Sequence, residues 1–122
     1  MSKRVLIAED DDEIRELLID ALSGAGYEAV GAKDGFEALR EATQKSCDLM
    51  VVDIIMPDKE GIETIMEFRK KFPQTLIIAI SGGGRIGPRG YLETAKQLGA
   101  SRTFAKPFSI PDFIAAVKEM IG

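Results

Sequence analysis

The sequence predicts an α/β domain built on a doubly wound parallel sheet. Two observations carry this. Five short apolar runs recur along the 122 residues, each followed by turn-forming or polar residues and then a helical pattern. The runs are mostly continuous rather than alternating, as in parallel strands buried on both faces. Right-handed crossovers between such strands leave few topologies.

The first run is Val5-Leu6-Ile7-Ala8. A helix follows, with Ile14, Leu17, Leu18, Ala21 and Leu22 on one face. Asp11 or Asp12 can cap its start, and Gly24 and Gly26 end it. Tyr27-Glu28-Ala29-Val30 is the second strand, and residues 34–44 form a helix with Phe36, Leu39 and Ala42 apolar. Leu49-Met50-Val51-Val52 is the third strand, followed by a helix over 62–72 that Pro73 stops. The fourth strand is Leu76-Ile77-Ile78-Ala79-Ile80, and a helix over 91–98 ends at Gly99. The fifth is Thr103-Phe104-Ala105. Ser109-Ile110-Pro111-Asp112 then opens the last helix: serine caps, proline fits the first turn and aspartate favours the dipole. Phe113, Ile114, Val117 and Ile121 form its apolar stripe. Without repeats, low-complexity segments or linkers, one domain over 1–122 is expected.

Composition narrows the functional classes. Apolar residues make up 45% and charged residues 30%, an ordinary globular balance. The net charge is −4 and the two signs are interspersed. No basic block exists to neutralise phosphates, which argues against nucleic acid as a direct partner. No apolar run approaches the roughly 20 residues of a membrane span, and Val5 to Ala8 is too short for a leader. The single cysteine, Cys47, reads as a small apolar residue in a reducing compartment, and a cytoplasmic location is expected. The chain has no histidine. Any histidine in its chemistry must come from a partner.

Ligands of open parallel sheets bind at the carboxyl ends of the strands, near the switch in strand order. There the sequence places Glu9-Asp10 after strand one, Asp53 after strand three, Ser81 after strand four and Lys106-Pro107 after strand five. Taken singly, each has a plain reading: a helix start, a turn cap, a turn hydroxyl, a solvated lysine. Together they set three carboxylates, a hydroxyl and an ammonium along one sheet edge. Clustered carboxylates disfavour one another's ionisation, and a hard divalent cation such as magnesium relieves this. Asp53, directly after a buried strand, can then attack phosphorus, with the cation, Lys106 and Ser81 serving the incoming oxygens.

The whole chain resembles the receiver domain of bacterial two-component response regulators, chemotaxis-regulator-like. The matching pieces are Val5-Leu6-Ile7-Ala8-Glu9-Asp10-Asp11, Val51-Val52-Asp53-Ile54-Ile55-Met56-Pro57 with Gly61 downstream, Ile80-Ser81, Gly99-Ala100 and Phe104-Ala105-Lys106-Pro107-Phe108. The resemblance implies a flavodoxin-like sheet of order 2-1-3-4-5 with five helices. It implies Asp53 as the phosphorylation site, and Mg2+ held by Glu9, Asp10, Asp53 and the Ile55 carbonyl. It implies Ser81 and Lys106 as switch hydroxyl and lysine, and a cis Lys106–Pro107 bond, which only proline makes cheap. The phosphoryl donor would be a histidine kinase or histidine phosphotransfer protein. The recipient of the signal would be a downstream protein or an attached output domain. The chain would be a phosphoacceptor signalling domain rather than a metabolic enzyme, catalysing only its own phosphorylation and dephosphorylation.

Three departures stand out. Thr103 occupies the usual position of an aromatic switch residue, and Phe104 reads as core. Residues 82–90 form a long glycine-rich connection, expected to be mobile at rest and to order on phosphorylation. Ile55 and Gly83 stand where relatives often carry polar groups. Two rivals remain. A receiver-like interaction module would no longer be phosphorylated. A dinucleotide enzyme would use Gly82-Gly83-Gly84-Arg85-Ile86-Gly87, which matches G-x-G-x-x-G. That match follows the fourth strand rather than the first, and the acid expected about 20 residues later is missing.

Overall fold

The computed structural model describes residues 2–54, 61–81, 93 and 95–122. Five strands form one sheet: β1 (Arg4–Ala8), β2 (Glu28–Ala32), β3 (Leu49–Asp53), β4 (Leu76–Ser81) and β5 (Arg102–Ala105). The helices between and after them are α1 (Asp12–Gly24), α2 (Gly35–Gln44), α3 (Gly61–Lys71), α4, helical at 93 and 95–98, and α5 (Ile110–Ile121). The strand order is β2-β1-β3-β4-β5 and every pairing is parallel. This is the doubly wound, flavodoxin-like architecture expected.

Side-chain alternation along the strands feeds two cores. Leu6, Ala8, Met50, Val52, Ile77 and Ala79 face Ala38, Ala42, Ile65 and Phe68 of α2 and α3. Val5, Ile7, Leu49, Val51, Ile78 and Ile80 face Leu18, Leu22, Phe113 and Val117 of α1 and α5. Strands β1 and β3 are buried along their whole length, which explains their continuous apolar runs.

Caps start three helices where side-chain oxygens can meet the first orphan N–H groups. Asp11 accepts from Glu13 and Ile14, so it, not Asp12, caps α1. Asp34 accepts from the Glu37 N–H and Ser109 from the Asp112 N–H. Each strand's bounds differ by one or two residues from expectation, and in the first two the difference has a physical cause. The first begins at Arg4, whose side chain is buried because its guanidinium pairs with Glu28 at 3.0 Å and Glu41 at 3.6 Å. The second lies at Glu28–Ala32 rather than 27–30. Tyr27 turns into the core ahead of it, and Gly31 is kept within the strand. Cys47 is a buried free thiol, as its apolar reading predicts. No helix among the described residues is long and apolar enough to cross a membrane.

Phe113 is fully buried and meets the Phe104 and Phe108 rings at centroid distances of 6.0 and 5.7 Å. Phe113→Ala should therefore cost about 3–5 kcal/mol. Urea unfolding should show this as a lower midpoint with an unchanged slope. A midpoint within error of wild type would refute the packing role given to α5.

Candidate functional site

Strand register assembles the site. Ala8 pairs with Val52, so Glu9 and Asp53 leave neighbouring strands at the same level. Asp53 pairs with Ile80, and Ser81 with Ala105, so Ser81 and Lys106 follow at the adjoining strand ends. The Lys106 N–H donates to the Ser81 carbonyl at 2.8 Å, continuing the ladder to the site. The location is the carboxyl edge around β1 and β3, where strand order switches direction.

Lys106 is the centre of charge. Its Nζ lies 2.7 Å from Glu9 Oε1 and 3.0 Å from Asp53 Oδ2. Glu9 is wholly buried and Asp53 nearly so, while Asp10 is exposed. One oxygen from each of the three acids lies within 4.8 Å of the others, a group that could hold a metal ion. Hard carboxylate oxygens, one of them solvent-facing, fit magnesium, which takes few protein ligands and retains waters.

The electrostatics point the same way. Burial pushes the Glu9 carboxyl up to about 7; the Lys106 bond opposes this and the Asp53 charge adds to it. Burial pulls the Lys106 ammonium down, but its bonds and Coulombic attraction to Glu9 and Asp53 outweigh that and hold it above its ordinary value. Even with the Lys106 ammonium beside it, Glu9 keeps a raised proton affinity, as expected of a buried acid next to a second one.

Ser81 is fully buried at the last position of β4. Ile55 lies outside the described residues, as do 82–90 with the glycine-rich connection and its G-x-G-x-x-G match. The Lys106–Pro107 bond is cis. Thr103 is half-buried and paired with Ala79, whereas Phe104 meets Phe108 in a tilted contact with centroids 5.3 Å apart and packs against the α1–α5 core.

Two supporting residues were missed or undervalued in the sequence. A Cβ on Gly61 would run into the backbone of Asp53 and Ile54, so α3 can start against β3 only with glycine there. Arg15 donates from Nη1 to the Glu9 carbonyl at 2.8 Å. Gly61 already stood in the motif. Nothing in the local sequence around Arg15 marked it, because its partner is set by how α1 docks.

A family model described as the response regulator receiver domain matches residues 5–118, and the chain belongs to that family. It is thus a receiver of two-component signalling. It is 38% identical to the transcriptional regulatory protein PdtaR of Mycobacterium tuberculosis over 117 residues, 95% of this chain and 55% of that protein. The chain therefore spans about half the length of that relative. It is 30% identical to the polar-differentiation response regulator DivK of Brucella ovis over 122 residues, 100% of this chain and 98% of that one. Among solved structures, the CheY-like receiver domain protein of Methanospirillum hungatei superposes with a TM-score of 0.90 at 28% identity, covering 98% of this chain and 93% of that one. Chemotaxis protein CheY4 of Vibrio cholerae gives 0.89 at 27%, covering 99% and 100%.

Glu9 holds its proton more tightly folded, near pH 7, than at its ordinary value of 4.5. Its contribution to stability in metal-free protein is therefore complete below pH 4.5 and lost as pH rises through about 7. Melting in chelator should fall across that window in wild type, and the fall should be shallower in Glu9→Gln. Parallel wild-type and mutant profiles would contradict the assigned shift.

Proposed function

We propose that the chain accepts a phosphoryl group from a partner histidine onto Asp53 and thereby changes its binding surface. The observation that carries this reading is Lys106 bridging Glu9 and Asp53 at the strand ends, with Asp10 beside them. An Asp53 oxygen forms the new O–P bond as the P–N bond of the phosphohistidine breaks, and the electron pair leaves on the imidazole. Lys106 is placed to neutralise the incoming oxygens, and the Ser81 hydroxyl to donate to one of them. Glu9, Asp10 and Asp53 would hold Mg2+, joined by the Ile55 carbonyl that the family resemblance implies. When bound, the ion would neutralise acceptor and phosphoryl oxygens together. The setting for this exchange would be the cytoplasm.

The donor must supply the histidine this chain lacks, from a histidine kinase or phosphotransfer protein. Beside Lys106 lies a mainly apolar groove of about 390 Å³, lined by Ile14, Leu17, Leu18, Pro107, Phe108 and Ile110. Leu17 is 53% exposed on its rim. A partner bringing phosphohistidine to Asp53 has to cover this rim, and the groove offers it an apolar seat. The downstream recipient would be a protein target or an attached output domain.

Asp53→Asn should abolish acid-labile phosphate incorporation from acetyl phosphate in magnesium. Labelling of that variant at the wild-type yield would sink the acceptor assignment. Leu17→Asp should slow transfer from a phosphohistidine protein about tenfold or more, if the rim contact contributes the 1.4 kcal/mol or more of a well-buried anchor. Labelling by acetyl phosphate should stay at the wild-type rate. Equal loss with both donors, or no loss with the protein donor, would remove the groove from the docking surface.

A further inference from the structure

We propose that Arg15 is a positioning residue for the acid pair Glu9–Asp10, and that Gly31 exists to let it reach them; this rests on the divalent-cation reading above. Arg15 stands near the start of α1 with its side chain only 17% exposed. Its Nη1 donates to the Glu9 carbonyl at 2.8 Å, and its Nη2 pairs with the Asp12 carboxylate. That carbonyl belongs to the peptide joining Glu9 to Asp10. A planar peptide held at its oxygen fixes the direction in which the next residue departs. The Glu9 N–H in turn donates to the Ala32 carbonyl at 2.9 Å. The backbone carrying the buried acid is thus tied on one side to β2 and on the other to α1.

The arginine stem reaches this carbonyl by passing over Gly31, the residue before Ala32. A Cβ there would lie 3.0 Å from Arg15 Cδ, 3.2 Å from its Cγ and 2.8 Å from Ile19 Cδ1. Gly31 has no positive φ to demand a glycine. Its missing side chain is explained by the space the Arg15 and Ile19 side chains occupy.

Charge and position make opposite demands here. A cation this close to the acid cluster opposes a second cation, so as a bare charge its removal should tighten metal binding. As a clamp on the ligand backbone, its removal should loosen it. Partners that orient metal ligands are worth about 10–100-fold in affinity. The guanidinium fork serves two acceptors at once, and lysine, with one ammonium, does not reproduce it.

Calorimetric titration of the chain with Mg2+ decides the matter, alongside amide exchange at Asp10 in chelator. Arg15→Ala and Gly31→Ala should each weaken Mg2+ binding, the first by about tenfold or more. Arg15→Lys should fall between wild type and Arg15→Ala. The Asp10 amide should exchange faster in metal-free Arg15→Ala than in wild type. Unchanged or tighter Mg2+ binding in Arg15→Ala overturns the proposal, as does a lowered melting temperature with affinity intact. Should Arg15→Ala fail to fold, Gly31→Ala with wild-type affinity overturns it instead. If wild type itself binds no Mg2+, the cation reading falls. The clamp is then judged by Asp10 exchange alone, and equal exchange in both proteins refutes it.

Discussion

A single ammonium held between two buried carboxylates is the interaction on which the rest of this receiver depends. Lys106 touches both Glu9 and Asp53, which lie 97 and 53 positions before it, at the ends of two different strands. Burying two acids together is costly unless they are paired, and one lysine offsets only part of that cost. The remainder shows in Glu9, whose proton affinity is raised to the neutral range by burial and by its acid neighbour. The charge of the acid pair is thus shared between a raised proton affinity at Glu9 and the Lys106 ammonium. This electrostatic tension is concentrated where Glu9, Asp53 and Lys106 meet.

The sheet holds that tension in place. β1 and β3 are buried throughout and packed from both sides, so neither acid can relax by moving its strand. Gly61 brings α3 against the backbone of Asp53 and Ile54, and Arg15 ties α1 to the backbone of Glu9. Helices on opposite faces therefore brace the two acids that Lys106 joins. Their packing and the site's geometry are one problem.

An aromatic cluster adjoins the site. Phe104, Phe108 and Phe113 pack on one another behind the Lys106–Pro107 turn, while the preceding position on β5 is Thr103, with no ring to rotate. The rings flank Lys106, with Phe104 inside β5 and Phe108 and Phe113 beyond its end. Phe113 and Val117 of α5 in turn sit in the same core as β1 and β3.

Local chemistry made much of this legible in the sequence alone. Apolar runs separated by helical stripes determined the parallel α/β class, because strands covered on both faces need continuous apolar sequence. Side chains such as Ser109 and the Asp11–Asp12 pair marked helix starts, because capping acts within three residues. Glu9, Asp10, Asp53, Ser81 and Lys106 could be named because each directly follows or ends a recognisable run. The tertiary structure decided what depends on distant partners. Glu9 and Asp10 are neighbours of the same type, yet one is wholly buried and the other exposed. The placement of Arg4 and Gly31 within strands, and of Arg15 on the Glu9 carbonyl, followed from how α1, α2 and β2 dock. Residue type and spacing specify what a segment can form, but burial and charge balance come from segments far apart in sequence, and only their packing sets those.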